Sequence, residues 1–193
     1  MTINLQKGQN VSLTENYPEL RKLRIGLGWN ERDTDKKAAF DLDAAAFLLG
    51  VDHKVRSDAD FIFYNQLRSS CGSVIHAGDE RTGAGAGDKE ILWVQLDQAP
   101  AEIAKIVFTV TIHEAKRRWQ HFGMVQNAYI RLYDDDSGKE LLRYNISDDA
   151  SLAIAMIFGE LYRHGGGWRF RAVGQGFADG LKVLAQNFGV NIG

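Results

Sequence analysis

Nine residues from Lys105 to His113 alternate without a break: Ile106, Phe108, Val110 and Ile112 fall on one side, Val107, Thr109, Thr111 and His113 on the other. A period of two is that of a β-strand, and a strand is stable only beside others that take up its backbone hydrogen bonds. The chain supplies the others. Lys22 to Trp29 alternates basic or small residues with Leu23, Ile25, Leu27 and Trp29, and Ile91 to Leu96 is a further strand with Ile91, Trp93 and Gln95 on one face and Leu92, Val94 and Leu96 on the other. Phe61 to Tyr64 is a short aromatic and β-branched run of buried-strand type. Tyr129–Tyr133 and Leu141–Ile146 flank the polar turn Asp134-Asp135-Asp136-Ser137-Gly138 and read as a hairpin. Ala153–Tyr162 and Trp168–Val173 form a further pair across His164-Gly165-Gly166-Gly167.

Two segments carry helical signals. Glu114 to Phe122 is short and charged and runs into Gly123, a C-terminal cap residue. Phe177, Leu181, Leu184, Ala185 and Phe188 make one apolar stripe at helical spacing that stops at Gly189. Eight or so short strands with one or two short helices predict a mainly-β fold, a β-sandwich of two packed sheets. A length of 193 residues suits one domain, and no repeat, linker or low-complexity stretch divides it. Residues 1–193 are therefore read as a single domain.

Composition narrows the function classes. With 45% hydrophobic and 25% charged residues the chain is neither disordered nor fibrous. Its longest uncharged apolar run, Ala44 to Val51, falls far short of the ~20 residues of a membrane span, so it is not expected to be an integral membrane protein. The segment Met1 to Lys7 has no basic stretch leading into an apolar core, so no signal peptide is expected. A lone Cys71 forms no intramolecular disulfide, which points to a reducing cytoplasm. The net charge of −2 argues against nucleic acid as a partner.

That small net charge conceals an asymmetry. Residues 30–90 hold twelve acids and eight bases, whereas residues 101–193 hold ten acids and eleven bases. The acidic part contains Gly78-Asp79-Glu80-Arg81-Thr82-Gly83-Ala84-Gly85-Ala86-Gly87-Asp88-Lys89-Glu90, with four of the chain's twenty glycines. Glycines free the backbone to expose carbonyls, and Asp79, Glu80, Asp88 and Glu90 add carboxylates at both ends. Hard cations such as Ca²⁺ take six to eight oxygens of those two kinds. A phosphate loop is excluded, since no Gly-Lys-Ser/Thr follows and the flanking charge repels phosphate. The bland alternative is a solvated hairpin loop. Two further acidic pairs adjoin apolar segments. If Phe40 to Phe47 is extended, Asp41 and Asp43 lie on one face about 6–7 Å apart, where they repel unless protonated or bridged by a cation. Asp58 and Asp60 repeat that spacing before Phe61–Tyr64, with Asn65 just after it. Asp43 and Asp58 also suit turns.

Other motifs fail on spacing. Asp134 to Gly138 opens like an EF-hand, yet its glycine comes one place early and position twelve is Asn145. His113-Glu114 lacks the second histidine of a zinc protease, since Arg117 stands there. The histidines are scattered, and no nucleophile elbow is present. Cys71 reads as a loop thiol. Lys116-Arg117-Arg118 with Trp119 reads as a solvated helix face, or as a contact for phosphate or an acidic partner.

Taken in order, these segments resemble the TerD family of tellurium-resistance and stress-response proteins. The resemblance is carried by Gly26-Leu27-Gly28-Trp29, Phe40-Asp41-Leu42-Asp43-Ala44, Ser57 to Asn65, the Gly78–Glu90 loop, Val107 to Ile112, Phe122 to Val125, Phe158 to Arg163 and Ala172 to Phe177. It implies a β-sandwich that binds Ca²⁺ through acidic loops, with no established enzymatic activity, in bacterial cytoplasm. It also implies a link to resistance against tellurite, other toxic agents and phage, and protein partners at the inner membrane. The family's acidic positions carry over onto Asp41, Asp43, Asp58 or Asp60, Asp79, Asp88 and Glu90. Asn30, Glu80, Lys89 and Asn145 depart from the family pattern, and each change moves or removes a charge. The sequence thus predicts a calcium-binding, non-enzymatic stress protein, a sensor or scaffold, with Asp41, Asp43, Asp58, Asp60, Asn65, Asp79, Asp88 and Glu90 as candidate ligands. Two alternatives stand: a nucleotide or oxyanion binder or metal-assisted enzyme using the Gly78–Glu90 loop, and an assembly module in which Ca²⁺ is structural.

Overall fold

The alternating segments become strands, and the computed structural model describes residues 1–31, 40–78, 87–146 and 152–191. In chain order the elements are β1 (Ile3–Leu5), β2 (Asn10–Ser12), α1 (Leu13–Asn16), β3 (Lys22–Glu31), β4 (Leu42–Leu49), β5 (Phe61–Ile62), β6 (Val74–His76), β7 (Glu90–Gln95) and β8 (Lys105–Ile112). They continue with α2 (Ala115–Arg118), β9 (Val125–Asp134), β10 (Glu140–Asn145), β11 (Ala155–His164), β12 (Gly167–Phe177) and α3 (Gly180–Asn187). The first sheet runs β1-β10-β9-β3-β7-β6 and the second β2-β12-β11-β8-β4-β5. All pairings are antiparallel except β1 with β10. The expected sandwich of two packed sheets is what forms. Both expected hairpins, β9–β10 and β11–β12, are present. Asp134 to Gly138 is the turn of the first, with the Asp134 carboxylate accepting from the Asp136 N–H and the Ser137 hydroxyl.

Alternation decides what lies between the sheets. Leu23, Ile25 and Leu27 of β3, Ile130 and Leu132 of β9, and Leu92 and Val94 of β7 face Ile106, Phe108 and Val110 of β8 and Phe158 of β11 in one continuous core. The outer face of the second sheet is apolar as well. Ala45, Phe47 and Leu49 of β4, Val107 of β8 and Ile157 of β11 are covered there by Leu184 and Ala185 of α3 and by Val190. From Ala44 to Leu49 β4 is buried on both faces and reads as an unbroken apolar run, so this part lacks the alternation that marks a half-buried strand.

Three expectations need correction. The segment from Glu114 to Phe122 is no continuous helix: one turn, α2, is bounded by left-handed residues Glu114 (φ 51°) and Trp119 (φ 56°), and a 3₁₀ turn over Phe122–Met124 follows. Only Ala115 of that turn is buried, too little packing to offset the cost of nucleating a helix. The Phe61–Tyr64 run keeps strand pairing only at Phe61–Ile62, because the chain turns back through mutual backbone bonds between Phe63 and Gln66. The C-terminal stripe is helical from Gly180, while Phe177 ends β12 and joins the same outer cluster from the sheet.

Phe47 sits at the centre of that cluster, stacked on Phe61 at 4.5 Å and against Phe188 at 4.9 Å. Phe47→Ala leaves a cavity between sheet and helix, and urea unfolding is expected to show a loss of about 3–5 kcal/mol.

Candidate functional site

Strand register brings the acidic segments at Asp41–Asp43 and Gly78–Glu90 to one end of the sandwich. There β3 ends at Glu31, paired with Val125 at the start of β9, and β4 begins at Leu42, paired with Ile112 at the end of β8. β7 begins at Glu90 opposite Leu27, β10 ends at Asn145 opposite Tyr129, and β11 begins at Ala155 opposite Thr111. The connections β3 to β4, β8 to β9 and β10 to β11 therefore cross between the sheets at this end, beside the β6–β7 loop. Asp41, Asp43, Gly78, Asp88 and Glu90 all lie here. Asp79 and the rest of residues 79–86 fall outside the described residues, as do 32–39 and 147–151.

The best-defined acid of this end is Asp88. Two glycines on the outer face of β3 make room for it: a methyl group at Gly26 would lie 2.3 Å from Asp88 Oδ2, and one at Gly28 would lie 2.3 Å from the Tyr129 ring. Glycine inside a strand here marks the close approach of another group. The Asp88 side chain is fully buried. Its Oδ1 accepts from Arg131 Nε at 2.6 Å and from the Tyr129 hydroxyl at 3.0 Å, whereas Oδ2 is buried with no hydrogen-bond partner. Arg131 lies over the rings of Tyr129 and Tyr133, Arg143 over Tyr129 and Arg24 over Tyr133, at 4.4 to 5.2 Å. Burial, reinforced by the Asp88 carboxylate, pushes the Tyr129 phenol up to about 12, so it donates throughout the physiological range. Glu140, which bridges Arg131 and Arg143, is held below the usual carboxylate range chiefly by the Arg143 hydrogen bonds.

The other root of the loop is fixed from inside the sandwich. Gly78 N–H donates to Nδ1 of buried His76 at 2.9 Å, so Nε2 carries the ring proton and meets the Ala44 carbonyl of the opposite sheet at 3.0 Å. Glu90 Oε2 lies 3.6 Å from the same Nε2. On the second sheet, half-buried Asp43 has its Oδ2 3.8 Å from His113 Nδ1. Asp41 is exposed just before β4, and its carbonyl accepts the His113 N–H at 2.7 Å.

The remaining candidates are elsewhere. Asp58 and Asp60 precede β5, towards the Leu49 end of β4. Arg56 takes both oxygens of buried Asp60, at 2.7 and 2.8 Å, and Asp58 accepts the Asn191 N–H at 2.9 Å. Asn65 is exposed in the Phe63–Gln66 turn. Among the described residues no three His, Cys, Asp or Glu side chains converge. Asp43, Asp88 and Glu90 share an end but approach it from different faces, so an ion site there closes only with donors from outside the described residues. Sequence reasoning passed over Arg131, Tyr129 and His76, which hold the roots of the loop.

A family model for the TerD domain matches residues 1–188. The chain belongs to the TerD family. It is 54% identical to a tellurium resistance protein TerD of Serratia marcescens over 99% of both chains. It is 48% identical to general stress protein 16U of Bacillus subtilis over the whole of both chains. Among solved structures, a homologue of the telluride resistance protein TerD from Streptomyces coelicolor matches with a TM-score of 0.66 and 26% identity, covering 86% of this chain and 95% of that one. The resemblance read from motif order is thus a family membership, within tellurium-resistance and stress-response proteins.

Arg131→Met strands the Asp88 carboxylate and is expected to cost about 3–5 kcal/mol in chemical denaturation. Gly26→Ala displaces the same carboxylate. Because both act through Asp88, the double variant is expected to lose clearly less than the sum of the two. Simple additivity would show that the glycine and the arginine do not serve one interaction.

Proposed function

We propose that this TerD-family protein binds Ca²⁺ at the acidic end of its sandwich and acts without catalysis, as a cytoplasmic sensor or scaffold in a chemical-stress response. The observation that carries the reading is the buried Asp88 carboxylate, with one oxygen fixed by Arg131 and Tyr129 and the other unpartnered. A buried carboxylate oxygen without a donor is costly, and an oxygen-seeking cation relieves that cost. Asp43 and Glu90 supply further carboxylates at the same end, Asp41 another, and Asp79 is the foremost donor beyond the described residues. The donor chemistry is oxygen throughout, which suits a hard cation and not zinc or copper. Bound there, the ion would supply charge neutralisation and a tie between loops that repel one another when empty. Asp58 and Asp60 take no part in this proposal, since Arg56 and the Asn191 N–H already use them.

Binding to the native state alone must stabilise it. Chelated protein is expected to release or absorb heat on Ca²⁺ titration, and at about 100 times Kd to gain about 2.7 kcal/mol, a rise of roughly 5–10 °C in Tm. Asp43→Asn and Asp79→Asn should each remove most of that rise, while Asp58→Asn should leave it. A calorimetric blank with an unchanged Tm would overturn the proposal.

A further inference from the structure

Trp119 presents 87% of its surface to solvent, the most exposed aromatic side chain among the described residues, and it sits in a left-handed conformation (φ 56°) that glycine adopts with far less strain. Neither burial nor backbone preference explains a tryptophan there. Its turn also begins with a left-handed residue, Glu114, and between the two Ala115 is buried while Lys116 and Arg117 are exposed. Lys116, Arg117 and Arg118 precede the tryptophan, and Glu114 offsets one of the three charges through surface pairs with Arg117 and Arg118. A second exposed apolar side chain belongs to the same end. Leu152, 74% exposed, is one residue from Ala153, whose carbonyl accepts the Phe122 N–H at 2.8 Å.

We propose that the Lys116–Trp119 tip is an interfacial anchor for an anionic phospholipid surface, with Leu152 as its apolar companion. The ingredients match that partner's chemistry. Tryptophan settles at the headgroup boundary of a bilayer, and clustered Lys and Arg are drawn to anionic headgroups. Size selects lipid over a folded protein partner. A stable protein interface buries about 800 Å² per side and some twenty residues, whereas one exposed tryptophan and one exposed leucine offer a small apolar contact. A bilayer accepts a small contact, because affinity there grows with the apolar area inserted and the basic charge beside it. Asp41 and Asp43 at the same sandwich end oppose an anionic surface, so binding is expected to be reversible and salt-sensitive. The anchor is independent of the calcium proposal and is assayed both in chelator and in Ca²⁺.

The test is co-sedimentation of the full chain with vesicles of phosphatidylcholine mixed with phosphatidylglycerol, against phosphatidylcholine alone. Binding to the mixed vesicles, in either chelator or Ca²⁺, is expected to weaken about tenfold in Trp119→Gly. It should weaken about 25-fold in the pair Lys116→Gln and Arg117→Gln. Trp119→Gly relieves the left-handed strain, so its melting temperature should hold or rise, and a loss of vesicle binding cannot then be blamed on unfolding. No binding in either condition, equal binding to phosphatidylcholine alone, or unchanged binding in Trp119→Gly would each overturn the proposal. So would a Trp119-dependent complex with poly-glutamate in the absence of vesicle binding, which would assign the tip to an acidic protein surface instead.

Discussion

Much of this molecule's special geometry depends on one carboxylate lying flat on a strand. Burying the charge of Asp88 carries a desolvation penalty of several kcal/mol, recovered only by well-aligned donors. Arg131 Nε and the Tyr129 hydroxyl supply them at one oxygen, and the alternating arginines and tyrosines around them keep that arginine in place. The arrangement is possible only because β3 carries no side chain at residues 26 and 28 on that face. At the opposite root of the same loop, the Gly78 N–H and His76 make a buried bridge to the second sheet. The two described roots of that segment, Gly78 and Asp88, are therefore each tied to the framework.

The two roots use different physics, and this bears on how a cation would act. Asp88 is anchored by charge and lies on the outer face of the first sheet, whereas His76 is anchored as a neutral ring between the sheets. In the proposed calcium-bound form, the ion draws on the carboxylate oxygen left without a donor and leaves the Arg131 contact intact. The basic tip at Trp119 shares the end but stands on the β8–β9 connection, so it has its own support. One end of the sandwich thus holds acid-rich loops and a basic, aromatic tip on separate struts.

How much of this was legible in the sequence follows from what each signal measures. β3 and β7 turn their apolar residues to the core on one face, which alternation reports, and β8 alternates Ile106, Phe108 and Val110 with Val107, Thr109 and Thr111 although its outer face is buried too. β4, buried on both faces from Ala44 onward, has no alternation to read, although it pairs with β8 on one side and β5 on the other. Glu114 to Phe122 has helix-compatible residues but almost no buried face, and the local turn settled on two left-handed residues instead. Among the candidate ligands, acidic clustering singled out Asp41, Asp43, Asp88 and Glu90, which strand register brings to one end of the sandwich. It also drew in Asp58 and Asp60, because spacing alone cannot show that Arg56, two to four residues earlier, already takes Asp60 in a two-oxygen fork. Arg131 and Tyr129 lie more than forty residues from Asp88 in sequence and gave no local signal. The Gly26-x-Gly28 pattern was the only hint that something rests on that strand.

The central proposal is that a cation binds beside Asp88 at the end of the sandwich that Asp43 and Glu90 share, and it is tested most directly by anomalous diffraction from crystals grown with Ca²⁺. The predicted result is an anomalous peak at that end, with an Asp88 oxygen and at least one of Asp43, Asp79 and Glu90 at about 2.3–2.6 Å. A peak beside Asp58 instead, or none anywhere at saturating Ca²⁺, would contradict it.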